Sequence, residues 1–230
     1  MKMLVSDFDG TFKPSTDNSG LQDNIDCVKR FMDNGNIFAF ATGRNFNSIK
    51  EQTERFNIPY HYLICNNGSA IFDKKDNLVF YYPIMTENVV KTLKYLESLG
   101  FIKSIKLIDM FGQETSRYYD VIEIICTLKV RNIFDIEQIR EEISFLSSLS
   151  FFNIVILKEE VDKKDGIQII SEKECVNKKD IYTVGDEFND EQMLIEYNGY
   201  KMPWSNPKLY FKGIKSTSSV ARLVRKIERK

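Results

Sequence analysis

Histidine is all but missing from this chain: His61 is the only one in 230 residues. That removes histidine-based nucleophilic catalysis and multi-histidine metal sites from consideration. The four cysteines (Cys27, Cys65, Cys126 and Cys175) are far apart and form no Cys-x-x-Cys pair. Each sits in an apolar or mixed segment, so buried free thiols in a reducing, cytoplasmic setting are expected. No charge of one sign dominates: 32 Lys and Arg against 33 Asp and Glu leave a formal net charge of −1. No overall field therefore points to nucleic acid or a membrane surface as a partner. No apolar run approaches the roughly 18 residues of a membrane span. Acidic Asp7 and Asp9 interrupt the apolar start almost at once, so no signal peptide is expected. Repeats, low-complexity tracts and flexible linkers are absent too. The basic end over 222–230 reads as the cationic last turn of a terminal helix, which suits the helix dipole.

What remains is an ordinary globular composition, long enough for one large or two small domains. The first 80 or so residues alternate strand and helix signals. A strand over 2–7 precedes a helix over 22–34, with Ile25, Val28, Phe31 and Met32 at helical spacing and Gly35 as its stop. The apolar run from Asn36 to Thr42 has the length of a strand buried on both faces. A helix over 46–56 and a strand from Tyr60 to Cys65 complete a β-α-β-α-β order, which indicates a doubly wound, Rossmann-like parallel sheet. After Asn66-Asn67-Gly68 the rhythm changes. A hairpin turning at Asp73–Asn77 leads to Pro83, then to a helix over 86–99 capped by Thr86. Strands at about 104–109 and 121–130, a helix over 136–149 opened by Asp135 and Gln138 in a capping-box-like pattern, and a strand over 151–157 follow. We read 83–159 as an inserted α+β cap domain and 1–82 with 160–230 as the α/β core. In the last part we expect a helix over 165–173, a strand from Asp180 to Val184, a helix over 189–197, a strand near Tyr200–Met202 and a helix over 218–229.

Met3-Leu4-Val5 runs into Asp7-Phe8-Asp9-Gly10-Thr11. Side chains at i and i+2 of an extended segment share a face, so Asp7 and Asp9 emerge together at a strand end. A plain solvated turn can carry the same residues. Two aligned carboxylates nevertheless suit a division of labour, one as nucleophile or metal ligand and the other as general acid/base. Three further stretches fall at strand ends or helix entries, the edge of an open α/β sheet where ligands bind. They are Thr42-Gly43-Arg44, Lys163-Lys164-Asp165-Gly166 and Gly185-Asp186-Glu187-Phe188-Asn189-Asp190.

Together and in this order, the four stretches resemble the haloacid dehalogenase superfamily of aspartate-nucleophile phosphohydrolases. Nearly the whole chain is covered, and the nearest branch is the capped Cof-type, subclass IIB, sugar-phosphatase-like group. The resemblance implies Asp7 as the nucleophile that becomes an aspartyl-phosphate and Asp9 as general acid/base. It implies Mg²⁺ held by the Asp7 and Asp186 carboxylates and the Asp9 backbone carbonyl. Thr42 would offer its hydroxyl to the phosphoryl group, and Gly43, at the start of the next helix, its amide. Lys163 would balance the negative charge, with Lys164 as the alternative. Asn189 would bind substrate or the lysine–aspartate network, and Asp190 would orient metal-bound waters or Lys163. Asn67-Gly68 resembles a segment near the substrate; Arg44 is left without a role. The cap would shield the acyl phosphate and choose the substrate, with Arg117, Tyr118, Tyr119 and Arg131 as residues that could bind it or simply pack.

The implied activity is a Mg²⁺-dependent hydrolysis of a small phosphomonoester, such as a sugar phosphate, by a monomer or weak homodimer. A phosphotransferase or mutase, a metabolite sensor with a vestigial site, and a response-regulator-like phosphoacceptor are the alternatives.

Overall fold

In strand β1 (Met3–Ser6) all four residues are buried, and alternation sends Leu4 to one side of the sheet and Met3 and Val5 to the other. Both faces of this strand therefore need helices. The computed structural model supplies them, and describes residues 1–14, 18–130, 132–143, 146–149, 153–158 and 161–229.

After β1 come α1 (Leu21–Asp33), β2 (Ile37–Ala41), α2 (Phe46–Arg55), β3 (Tyr62–Cys65), β4 (Ala70–Asp73) and β5 (Leu78–Tyr81). The middle of the chain forms α3 (Thr86–Ser98), β6 (Ile102–Asp109), β7 (Glu114–Thr115), β8 (Val121–Leu128), α4 (Ile133–Glu142), β9 (Leu146–Leu149) and β10 (Asn153–Ile156). The last part forms α5 (Lys163–Lys173), β11 (Ile181–Gly185), α6 (Glu191–Glu196), β12 (Asn198–Lys201), β13 (Lys215–Ser216) and α7 (Val220–Glu228).

The larger sheet has the order β13-β12-β11-β1-β2-β3-β4-β5. It is parallel from β13 through β3, and the β4–β5 hairpin extends it antiparallel. On one face Leu4, Phe38 and Phe40 pack with Ile25, Val28 and Phe31 of α1 and Leu223, Val224 and Ile227 of α7. On the other, Val5, Ala39 and Ile64 pack with Ile167 and Ile170 of α5 and Met193 and Leu194 of α6. The doubly wound core expected from the sequence is present. At the hairpin, Asp73 accepts the amides of Lys75 and Asn77 at 2.8 and 3.0 Å, a side-chain turn that explains the Asp-rich loop.

The second sheet, β7-β6-β8-β10-β9, is antiparallel. Val89 and Leu96 of α3 and Ile136 and Ile139 of α4 cover one face through Ile124, Cys126, Ile154 and Ile156. Ile122 of β8 instead joins the apolar cluster of the larger sheet. This is the inserted α+β unit.

Several local expectations are corrected. The helix expected over 136–149 ends at Glu142, and Leu146–Leu149 pairs with β10 as a strand. Four serines between 144 and 150 weaken helix propensity there. Its cap is Asn132, whose side chain accepts the Phe134 amide at 3.1 Å, and not Asp135. Met85 holds the capping position of α3, one residue before Thr86, and supplies no side-chain cap. Cys27, Cys65 and Cys126 are buried free thiols as expected, but Cys175 is exposed, in the turn just past α5. Arg131 and part of the strand expected over 151–157 lie outside the described residues. Among the described residues no helix is long and apolar enough to cross a membrane.

Candidate active site

The parallel ladder carries Asp7 to the sheet edge: its amide bonds to Val184 O at 2.9 Å, one residue beyond the end of β1. The chain must then turn at once. Gly10 does so at φ +80°, and a Cβ there would lie 2.3 Å from Asp186 Oδ2, so both the conformation and the space demand glycine. Thr11 Oγ1 donates to Asp186 Oδ1 at 2.6 Å, fixing the carboxylate that follows β11. At Gly185 a Cβ would meet Asp190 Cγ at 2.4 Å, so this glycine makes room for Asp190. Asp190 closes a short 3-10 turn, Phe188–Asp190, ahead of α6, and its Oδ2 accepts the amides of Asp186 and Glu187 at 2.9 Å each.

A capping box places the lysine. Asp162 caps α5 by accepting the Lys164 amide at 2.7 Å, while Asp165 accepts the Asp162 amide at 2.8 Å. Lys163 thus enters in the first helical turn, two residues earlier than the expected helix start. Its Nζ donates to Asp7 Oδ1 at 2.7 Å and to Asp190 Oδ1 at 2.6 Å, and only 1% of the residue is exposed. Lys164 turns away to Asp162, 3.0 Å off. Lys163 is the lysine that reaches the carboxylates.

Charge is out of balance here. Asp7, Asp186 and Asp190 bring carboxylate oxygens within 4.8 Å of one another, all three buried, and among the described residues only Lys163 makes an ion pair with them. Burial pushes the Asp7 carboxyl above its ordinary range, Lys163 pulls it down, and the Asp190 and Asp186 charges push it up again. Asp186 is pushed up to about 6, chiefly by burial, with Thr11 pulling it down and Asp190 and Glu187 adding to the rise. Burial works against the Lys163 ammonium, yet Asp190 and Asp7 hold its pKa above the usual lysine value.

The donor set is all oxygen, which fits a hard divalent cation such as Mg²⁺. Asp190 is already committed, one oxygen to Lys163 and the other to two backbone amides. That leaves Asp7 and Asp186 as the carboxylates able to ligate, with Asp190 behind them holding Lys163.

Asp9 stands outside this group. Arg44 grips it with a fork, Nε to Oδ2 at 2.6 Å and Nη2 to Oδ1 at 2.8 Å, and about half of the Asp9 side chain is exposed. Thr42 is buried at the end of β2; its hydroxyl accepts the Arg44 amide at 3.1 Å and its carbonyl accepts the Asn67 amide at 2.9 Å. Gly43 is not at a helix start as expected. Helix α2 begins three residues later, capped by Asn45, because the Asn45 side chain takes the Ser48 amide at 2.9 Å. A Cβ on Gly43 would lie 3.2 Å from Asn67 Oδ1, the same oxygen that accepts from Asn189 Nδ2 at 2.9 Å. Asn189 is thereby tied to the turn after β3 rather than to Lys163.

The second sheet reaches over this edge. Asn47 Nδ2 donates to Phe111 O at 3.1 Å, and Phe111 lies 5.9 Å from the Phe72 ring. Tyr118 and Tyr119 are about half exposed, with Arg117 over the Tyr119 ring. Sequence reasoning gave no role to Arg44, Thr11 or Trp204, whose indole N–H donates to Gly10 O at 2.8 Å. Arg44 directly follows Thr42-Gly43 and Thr11 directly follows Gly10, so adjacency to the motifs was the available signal. Trp204 lies in the stretch 202–206, which resembles a late segment of the family only loosely, and nothing in it points to an acceptor nearly 200 residues away.

A family model described as haloacid dehalogenase-like hydrolase matches residues 4–119 and 109–209. A protein of Buchnera aphidicola (subspecies Baizongia pistaciae), provisionally named a phosphatase, is 25% identical over 98% of this chain and 97% of its own length. A solved phosphatase of the same superfamily from Bacteroides thetaiotaomicron shares the fold at TM-score 0.81 and 18% identity, covering 100% of this chain and 94% of its own. A solved subclass IIB sugar phosphatase shares it at TM-score 0.75 and 16% identity, covering 100% and 98%.

Proposed function

This chain belongs to the haloacid dehalogenase-like hydrolase family, with the fold of its capped Cof-type, subclass IIB, branch, and we propose that it hydrolyses a small phosphomonoester through Asp7. The observation that carries the reading is the buried Asp7–Lys163–Asp190 bridge beside Asp186 at the open edge of the sheet. A sugar phosphate is the substrate class favoured by the name of the subclass IIB relative.

The Asp7 and Asp186 carboxylates and the Asp9 backbone carbonyl would hold Mg²⁺. When bound, the ion supplies the positive charge that lets an anionic carboxylate approach an anionic phosphoryl group. An Asp7 oxygen attacks phosphorus, the bond from phosphorus to the substrate oxygen breaks, and Asp9 gives that oxygen its proton. Asp9, now a carboxylate, then takes a proton from water. The water oxygen attacks phosphorus, the bond to Asp7 breaks, and inorganic phosphate leaves with Asp7 restored. Lys163 holds Asp7 in place and offsets the charge that accumulates. Thr42 and Gly43 offer a hydroxyl and an amide to the phosphoryl oxygens. The fork of Arg44 occupies both Asp9 oxygens, so Asp9 reaches the leaving oxygen only when that pair opens. Closing the inserted unit over the edge excludes bulk water while the acyl phosphate exists.

The test is phosphate release from p-nitrophenyl phosphate and a panel of sugar and nucleotide monophosphates, with Mg²⁺ or with EDTA. Mg²⁺-dependent release by wild type, abolished in Asp7→Asn, is expected. An inert wild type, or equal release by Asp7→Asn, overturns the reading. Added acceptor alcohol that diverts phosphate into a new ester would identify a phosphotransferase instead.

A further inference from the structure

Glu123 is the lone charged residue in the apolar strand β8, within Val121-Ile122-Glu123-Ile124-Ile125-Cys126. It is 93% buried, being 7% exposed, and it points across to the larger sheet, where its Oε2 accepts from Asn66 Nδ2 at 2.5 Å. Asn66 is itself 1% exposed, and its other side-chain polar atom, Oδ1, is buried with no hydrogen-bond donor among the described residues. Such an orphan carbonyl is costly, and a native fold satisfies it somehow. An ionised Glu123 offers only acceptors, so it cannot help. Turning the Asn66 carboxamide over does not remove the problem. Its oxygen would then meet Glu123 Oε2, and that contact also requires a proton.

We propose that Glu123 is a positioning residue carried by the inserted unit: as a neutral carboxylic acid it donates to Asn66 Oδ1 while accepting from Asn66 Nδ2, and this two-bond pair locks the turn Asn66–Gly68 beside the phosphate-binding edge. The surroundings fit a neutral group. Asp109 of β6 spends its Oδ1 on the amides of Phe111 and Gln113. Arg44, on the core side, is engaged with Asp9; Asp120 accepts from Tyr81; Lys158, past the end of β10, lies over the Tyr82 ring. The turn 66–68 carries no ionisable side chain. Burial pushes Glu123 up to about 7, with only the Asn66 amide pulling it down.

The pair bears on the site through the backbone. The Asn66 amide bonds to Arg44 O and the Asn67 amide to Thr42 O, both at 2.9 Å, and Asn67 Oδ1 holds Asn189. Asn66 and Asn67 both sit in the left-handed region, at φ 48° and 53°, a conformation that must be held by its contacts. Ionising Glu123 removes one donor from this holding set and leaves a buried charge facing an acceptor. The inserted unit is then expected to lose its hold progressively as pH rises from 4.5 to about 7, and to lose no more above that. The role of the turn in catalysis rests on the phosphatase reading; the proton on Glu123 and the pairing do not.

The experiment is a ¹³C NMR titration of wild type labelled at the glutamate side-chain carboxyl carbon, compared with Glu123→Gln, in which an amide can make both hydrogen bonds without titrating. Hydrogen exchange over residues 62–72 is followed in the same samples, corrected for the intrinsic rate. One carboxyl signal missing from Glu123→Gln should titrate near 7, and wild-type protection should fall by up to about tenfold per pH unit between 4.5 and 7 and level off above 7. Glu123→Gln should show no such fall between pH 4.5 and 7. If the variant turns over substrate, its kcat profile should lack the alkaline limb that ionisation of Glu123 gives wild type above about 7. A Glu123 signal titrating near its ordinary value of 4.5, or equal pH dependence of protection in both proteins, overturns the proposal, whether or not either protein is a phosphatase.

Discussion

Replacing Lys163 by Met keeps the length of the side chain and the helix propensity of the first turn of α5 while deleting the cation that bridges Asp7 and Asp190. At an effective dielectric of about 20, contacts of 2.7 and 2.6 Å each carry a gross attraction of about 6 kcal/mol. Desolvating three ions consumes most of it, and removing one partner from such a buried group costs about 3–5 kcal/mol net. The two carboxylates do not suffer alike. Asp190 keeps the Asp186 and Glu187 amides on Oδ2, whereas Asp7 loses the side-chain partner that drew its pKa down. The compensating proton should land on Asp7. A carboxyl whose folded pKa is raised above the unfolded value destabilises the fold at high pH and ceases to do so as pH falls through the folded value. Urea unfolding in EDTA should therefore show Lys163→Met less stable than wild type by about 3–5 kcal/mol at pH 8, with the difference shrinking by pH 5. A loss under about 1 kcal/mol, or an equal loss at both pH values, would refute the argument that Lys163 neutralises buried charge.

Gly10→Ala should both strain the turn and displace Asp186. A left-handed alanine alone costs about 1–2 kcal/mol, so a larger drop in urea stability and loss of activity are expected, and an unchanged protein would mean that the turn is soft. Arg44→Gln should cost under about 1 kcal/mol of stability despite its fork on Asp9, because half of the Asp9 side chain is in water; differential scanning calorimetry checks this. Mg²⁺ at millimolar concentration should raise the melting temperature of wild type and not of Asp186→Asn, since only a cation bound to the folded state stabilises it.

Much of this architecture was legible because it follows from local periodicity. Leu4, Phe38 and Phe40 alternate with Met3, Val5, Ile37 and Ala39, and runs apolar on both faces admit little but a buried parallel strand. Asp7, Thr42 and Asp186 were legible as a group because each directly follows such a strand. The helix expected over 136–149 failed where serines interrupt the pattern and long-range pairing with β10 takes over. Only the resemblance favoured Lys163 over Lys164; the Asp162–Asp165 capping box that aims Lys163 inward involves backbone amides, which the linear sequence does not display. The Arg44–Asp9 and Asn66–Glu123 pairs join residues 35 and 57 positions apart, and nothing in the linear pattern announces either.

The central claim is a covalent bond from phosphorus to Asp7. Enzyme mixed with a turned-over phosphomonoester and Mg²⁺, quenched in acid within milliseconds and reduced with borohydride, converts an aspartyl-phosphate to homoserine. Peptide mass spectrometry should find homoserine at position 7 in wild type, and none without substrate or in Asp7→Asn. Sustained phosphate release with no homoserine at position 7, or release by Asp7→Asn at the wild-type rate, would contradict the account.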